Sequence, residues 1–184
     1  MDERPLKRLI RNAAHGDEES AGELFDLYHA RVFRYAASKL RDQGTAEDVA
    51  SETFARVLRD LGRFKWRGAG FEAWLFRIAS NLVTDHLRKT NRESPQAEVS
   101  EFADTAELRT PEWAVIEGET TEKLNGMLAV LPDDQREVLV LRFAGGLETD
   151  EIGAVMGRKP NAVRQLQFRA LEQLRGRMRD GVEA

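Results

Sequence analysis

The stretch LETDEIGAVMGRKPNAVRQLQFRALEQLR, Leu147 to Arg175, decides the fold. Ile152, Val155 and Met156 form a short apolar stripe that stops at Gly157. After Arg158, Lys159 and Pro160, the residues Val163, Leu166, Ala170, Leu171 and Leu174 recur at spacings of three and four. A short helix from about Thr149 to Met156, a tight turn and a longer helix to about Arg177 have the spacing of a helix-turn-helix. The second helix leaves Asn161, Arg164, Gln165, Arg169 and Arg175 outward. Arginine suits guanine, and asparagine or glutamine suits adenine, in a major groove. An amphipathic packing or dimerisation helix has the same period, but the glycine breaks and the basic bias favour DNA.

Working outward, Pro132 opens a preceding helix at a position where its missing N–H costs nothing, and Val138, Leu139, Leu141 and Phe143 give that helix a buried side. Gly145 and Gly146 end it. Far upstream, Phe71 to Lys89 is the cleanest amphipathic helix, with Trp74, Leu75, Ile78, Ala79, Leu82, Val83 and Leu87 on its core face. A first helix is expected from near Glu18 to Leu40. Gly44 should break the chain, and Thr45 with Asp48 should cap a helix carrying Val49, Ala50, Phe54, Val57 and Leu58. A turn follows from Leu61 to Gly70. From Thr90 to about Thr120 the sequence is polar and acidic, with Pro95 and Pro111; only Trp113 to Ile116 hints at a further helix.

No stretch alternates with the period of a strand, so the chain reads as all-α. Two small helical domains, residues 1–92 and 120–184, are expected, joined by a flexible acidic linker at 93–119. The 184 residues contain no cysteine, which excludes disulfides and thiolate metal sites. No apolar run reaches the roughly 20 residues that span a bilayer, and the first ten residues lack the apolar core of a signal peptide. A cytoplasmic location without membrane insertion is the resulting expectation.

A net charge of -4 argues against phosphate binding, but its distribution argues for it. Nine basic residues between Arg56 and Arg92 meet only Asp60, Glu72 and Asp85, and seven between Arg158 and Arg179 meet only Glu172. The acidic residues collect between Asp17 and Glu52 and in the joining segment. Two cationic patches separated by acidic surface suit two contacts with one polyanion and a different partner for the acidic faces.

Three further constellations stand out. FKWRGAGF, residues 64–71, mixes aromatics and cations as single-stranded nucleic acid requires, although Phe64, Phe71 and Trp74 read better as core. Arg77, Asn81, Asp85 and Arg88 form a polar helix stripe that suits base edges or phosphates, and that a merely solvated face would also show. Glu47, Asp48 and Glu52, with Phe54 nearby, read as an acidic, partly apolar protein-docking face. No histidine or further carboxylate completes a metal or acid/base site with them. His15, His29 and His86 are scattered, and no phosphate loop or nucleophile and base pattern stands out, so neither catalysis nor a cofactor is expected.

AEDVASETFARVL from Ala46, FEAWLFRIASNLVTDHLRK from Phe71, LPDDQREVLVLRFAGGLETDEIGAVMG from Leu131 and the last helix together resemble, in order and spacing, the extracytoplasmic-function (ECF) sigma factors of the sigma-70 family. The resemblance implies a non-catalytic factor that binds core RNA polymerase and directs it to promoters. It assigns Glu47, Asp48, Glu52 and Phe54 to the polymerase clamp helices. Phe64, Lys65, Trp66, Arg67, Arg77, Asn81, Asp85 and Arg88 fall to melted -10 DNA, and Lys159, Asn161, Arg164, Gln165 and Arg169 to the -35 duplex. It also implies an anti-sigma factor that clamps both domains. Glu148 stands where many relatives have a capping serine, which would shift the cap to Thr149, and Leu166 with Gln167 replaces their basic residue and leucine. An autonomous helix-turn-helix regulator is the alternative, and it would bind a palindromic duplex without polymerase.

Overall fold

The structure, a computed structural model, describes residues 3–40, 42–66, 68–93 and 126–180, and every regular element among them is helical. Apart from Glu93, which ends a helix, the proposed linker and the hint of a helix at Trp113 to Ile116 lie outside the described residues, as does Arg67. Helix α1 spans Glu3–Ala14, α2 Glu18–Ala37, α3 Gln43–Asp60 and α4 Gly70–Glu93. Helix α5 spans Asp133–Phe143, α6 Thr149–Met156 and α7 Pro160–Asp180.

Helix α1 was not expected from the sequence. Leu6, Leu9, Ile10 and Ala13 nevertheless recur at helical spacing, and Pro5 sits in the first turn, where its missing N–H removes no bond. Ile10 and Ala13 are buried, and α1 packs on α2. Helix α3 starts earlier than Thr45. Asp42 is the cap, its carboxylate accepting from Thr45 N at 2.6 Å and Thr45 Oγ1 at 2.7 Å. Gly44 therefore lies inside the first turn, where an added Cβ would come within 3.3 Å of the Asp42 carboxylate. Pro132 is the residue before α5 rather than its first, and Glu148 keeps the capping position of α6. Its N–H donates to the Glu151 carboxylate at 2.6 Å, and its own carboxylate takes Arg142 Nη1 at 2.6 Å.

Helices α2, α3 and α4 pack around Val32, Tyr35, Ala36, Ala50, Val57, Phe71, Leu75, Phe76 and Ala79, all at or near zero exposure. This core does not stop at the N-terminal helices. Val138, Val140, Leu141, Leu147, Ile152 and Val163 belong to the same buried cluster, and α6 lies against α4. A small satellite of Leu131, Leu139 and Ala170 joins α5 to α7. The buried side chains thus form one large cluster and one small satellite.

The bonds from Thr45 hold the Asp42 carboxyl below its ordinary value near 3.8. A depressed carboxyl stabilises the fold above that value and ceases to do so as pH falls through it. Thermal midpoints of wild type and Asp42→Ala should differ by a constant amount from about pH 7 to about pH 5 and converge on further acidification, while Asp42→Asn retains the cap at low pH. A gap that widened on acidification would refute the cap.

Candidate nucleic-acid and polymerase interfaces

After α3 and a single 3-10 turn at Leu61–Arg63, the backbone is extended at Phe64 and irregular at Lys65 and Trp66. Phe64 meets Trp66 at 5.4 Å, Phe71 at 5.6 Å and Trp74 at 5.0 Å between ring centroids. Phe71 is fully buried, and Phe64, Trp66 and Trp74 are half-buried. The cluster is therefore first a packed corner, and the two half-buried tryptophans are the aromatic faces it leaves at the surface. Lys7 of α1 stands 4.8 Å from the Trp66 ring centroid, a cation–π contact that sequence reasoning missed along with its helix. Gly70, at φ +82, takes the left-handed conformation that turns the loop into α4, and a Cβ added there would stand 3.8 Å from the Trp66 ring.

From this loop α4 carries Arg77, Asn81, Asp85 and Arg88 at spacings of four, four and three, and all four are exposed. The stripe is thus an outer face of α4. Arg77 alone is engaged elsewhere, its guanidinium donating to the Ala154 carbonyl of α6.

On α3, Asp48 and Glu52 are exposed and Glu47 is half-buried. Arg56 binds the Glu52 carboxylate through Nε at 3.0 Å and Nη2 at 2.6 Å, which softens its charge. His29 Nε2 lies 3.0 Å from Glu47 Oε1, near enough for an ion pair when protonated but off the line of a hydrogen bond. Phe54 is buried, 4% exposed, so it supports this face from beneath. The apolar side chain that reaches solvent there is Phe25, stacked on His29 at 4.4 Å and edge-on to Phe54 at 5.0 Å.

Helix α7 presents Asn161, Arg164, Gln165 and Arg169, with Lys159 just before it, all exposed, while Val163 and Ala170 are buried beneath. Arg164 Nη1 donates to Asn161 Oδ1 at 2.7 Å, so the two present one rigid donor and acceptor pair. Gly157 at φ +66 ends α6 in the left-handed conformation, and an added Cβ on Gly153 would come within 2.7 Å of the Arg158 carbonyl. That contact fixes the tight turn of the motif. Phe168, 65% exposed, was missed by the sequence reading. It falls four residues after Arg164 and three after Gln165, so periodicity alone puts it on the outward face.

A basic, aromatic-edged face on one helical unit and a helix-turn-helix on the other define a two-part promoter-recognition factor. Residues 24–93 match the family description "Sigma-70 region 2" and residues 127–176 match "Sigma-70, region 4". The ECF RNA polymerase sigma factor BldN of Streptomyces coelicolor is 37% identical over 94% of this chain and 66% of its own length, just under two thirds. The ECF RNA polymerase sigma factor ShbA of Streptomyces griseus is 38% identical over 91% of this chain and 92% of its own. Among solved structures, CnrH in complex with the cytosolic domain of CnrY aligns with a TM-score of 0.70 at 26% identity, covering 94% of this chain and 96% of that one.

The chain belongs to the ECF sigma factors of the sigma-70 family, the non-enzymatic initiation factors that direct RNA polymerase to promoters. No helix among the described residues is long and apolar enough to cross a membrane.

If the aromatic corner is structural, Phe71→Ala should cost about 3 to 5 kcal/mol of stability in denaturant unfolding. Lys65→Ala, on the exposed rim, should stay within about 0.5 kcal/mol of wild type. A Phe71→Ala protein as stable as Lys65→Ala would show that the ring is available to a ligand instead.

Proposed function

We propose that the two units divide promoter recognition between them. The unit ending near Arg92 holds polymerase and melted -10 DNA, and the unit from about residue 120 reads -35 duplex. The observation that carries this reading is the exposure pattern. Every described side chain that the family resemblance assigns to DNA is exposed, apart from the half-buried Phe64 and Trp66, which lie at a corner where rings stack. Trp66 offers a face to an unpaired base, and Lys65, Asn81 and Arg88 line the path of its backbone and edges.

The face with Glu47, Asp48, Glu52 and Phe25 docks polymerase through acidic and apolar groups, which accounts for the acidity of a DNA-binding chain. The chain performs no chemistry of its own, as its family supports. An anti-sigma protein is its regulator, a reading supported by the family. The autonomous-regulator alternative gains nothing from the structure.

Phe168 extends the -35 contact. On the face shared with Arg164 and Gln165 it suits the methyl group of a thymine, an apolar contact that duplex readers use.

In reconstituted transcription with core polymerase, Trp66→Ala should reduce promoter opening about five- to a hundredfold, read by permanganate reactivity of unpaired thymines, with little change in closed-complex affinity. Arg164→Ala should weaken duplex binding first. Equal effects of both on closed-complex affinity would sink the division of labour.

For Phe168, a -35 duplex selected by the holoenzyme from a random library should contain one thymine whose replacement by deoxyuridine costs about 0.8 kcal/mol, roughly fourfold. Phe168→Ala should abolish that difference. A methyl effect that survives Phe168→Ala would remove the contact.

A further inference from the structure

Helix α1 carries a basic surface that none of the assignments above uses. Its sequence holds Arg4, Lys7, Arg8 and Arg11 against Glu3 alone. Leu6, Leu9, Ile10 and Ala13 pack into or against the core, and Lys7, Arg8 and Arg11 are left exposed. In the sequence this basic run is cut off from the one that begins at Arg56 by the acidic stretch between Asp17 and Glu52. The fold rejoins them. Helix α1 packs on α2 and on the 3-10 turn Leu61–Arg63, immediately before the aromatic corner.

The junction is at Trp66. Lys7 Nζ stands over the Trp66 ring, 4.8 Å from its centroid. Phe64 lies edge-on to the same ring at 5.4 Å, and a Cβ added to Gly70 would stand 3.8 Å from it. A phenyl ring and the loop backbone thus hold the indole in place, and an exposed cation is set over it.

A cation over an indole face is attracted by the ring's quadrupole, and at an exposed site that attraction is weak. A phosphate carries a full negative charge and draws the same ammonium more strongly. Lysine suits such an exchange of partners, since its charge is compact and its four-carbon stem is flexible. A nucleotide whose base stacks on Trp66 brings its phosphate with it, on the length of one sugar. Among the described residues, Lys7 is the cation that stands over this ring. Base and ammonium cannot share one face of the indole, so stacking of the base and transfer of Lys7 to the phosphate are a single step.

We propose that Lys7 is a phosphate-binding residue of the single-strand site. In the free chain it rests on Trp66, and it passes to the backbone of the unpaired strand whose base takes its place on the ring. Helix α1 is thereby part of the nucleic-acid face and not only a packing element. The contact recognises backbone charge, so it adds affinity for melted DNA without adding sequence preference. This rests on the reading of Trp66 proposed above.

The test uses holoenzyme reconstituted from the full chain and core polymerase, with a promoter fork DNA whose non-template strand is unpaired across the -10 element. Lys7→Ala should weaken binding about three- to tenfold at about 50 mM salt, and should flatten the plot of log affinity against log salt by about 0.7, the share of one single-strand phosphate. Lys7→Arg should restore both, which a loss of packing would not predict. A scan of uncharged methylphosphonate linkages along the unpaired strand should find one position that weakens wild type and Lys7→Arg but leaves Lys7→Ala unchanged.

Unaltered affinity and slope in Lys7→Ala, where Trp66→Ala weakens the same complex, would overturn the inference and leave the role of Trp66 standing. Tighter binding by Lys7→Ala would overturn it too, since Lys7 would then merely cover the ring. A Lys7→Ala defect that no single methylphosphonate position reproduces would show that the ammonium acts through the general field and not at one phosphate, and would overturn it likewise. If Trp66→Ala binds the fork as wild type does, the stacking proposal fails, and the methylphosphonate scan still decides whether Lys7 meets a phosphate.

Discussion

Phe76 meets Gly145 where no other side chain would fit, and much of the structure depends on that contact. Helix α4 must bury Phe71, Leu75, Phe76 and Ala79 on one side to hold the N-terminal helices together. Phe76 belongs to that face and meets Gly145, in a buried cluster that also holds Leu147 and Ile152. The six residues that the C-terminal helices place in the shared cluster would otherwise lean on a satellite core of three fully buried side chains. At about 25 cal/mol per Å² of apolar surface, a short helix such as α6 gains too little from α7 alone to offset its ordering entropy. Docking on α4 supplies the missing surface.

The periodic helices were legible in the sequence because their chemistry is local. The limits of α6 follow from Thr149, Gly157 and the stripe between them, and the outward residues of α7 follow from its buried ones. Errors fell where a cap or a distant partner decides. Thr45 looked like a cap because Asp48 follows it at the right spacing, yet Asp42 reaches Thr45 with two bonds and starts the helix sooner. Glu148 looked like a poor cap, yet Glu151 and Arg142 together hold it in place. Helix α1 was passed over because its charge hid a stripe of only four apolar residues. Arg31, Tyr35 and Glu137 gave no signal at all, since their contacts join residues about a hundred positions apart.

The site residues divide along the same physical line. A side chain that serves packing is constrained by its neighbours, so Phe71 and Phe54 declare themselves by burial. A side chain that would serve a nucleic acid is exposed rather than packed, and the sequence can place it on a face but not rank it among its neighbours. Phe168 illustrates the difference. Its exposure is costly for an apolar ring in water, and that cost, rather than any motif, marks it.

The same reasoning reconciles an acidic chain with DNA binding. Phosphate neutralisation depends on the local field within a Debye length of about 8 to 10 Å, so a net charge of -4 summed over the whole surface says little about either patch. In the division of labour proposed above, the acidic surface of α2 and α3 turns to protein, and the basic faces of α4 and α7 each turn to their own promoter element.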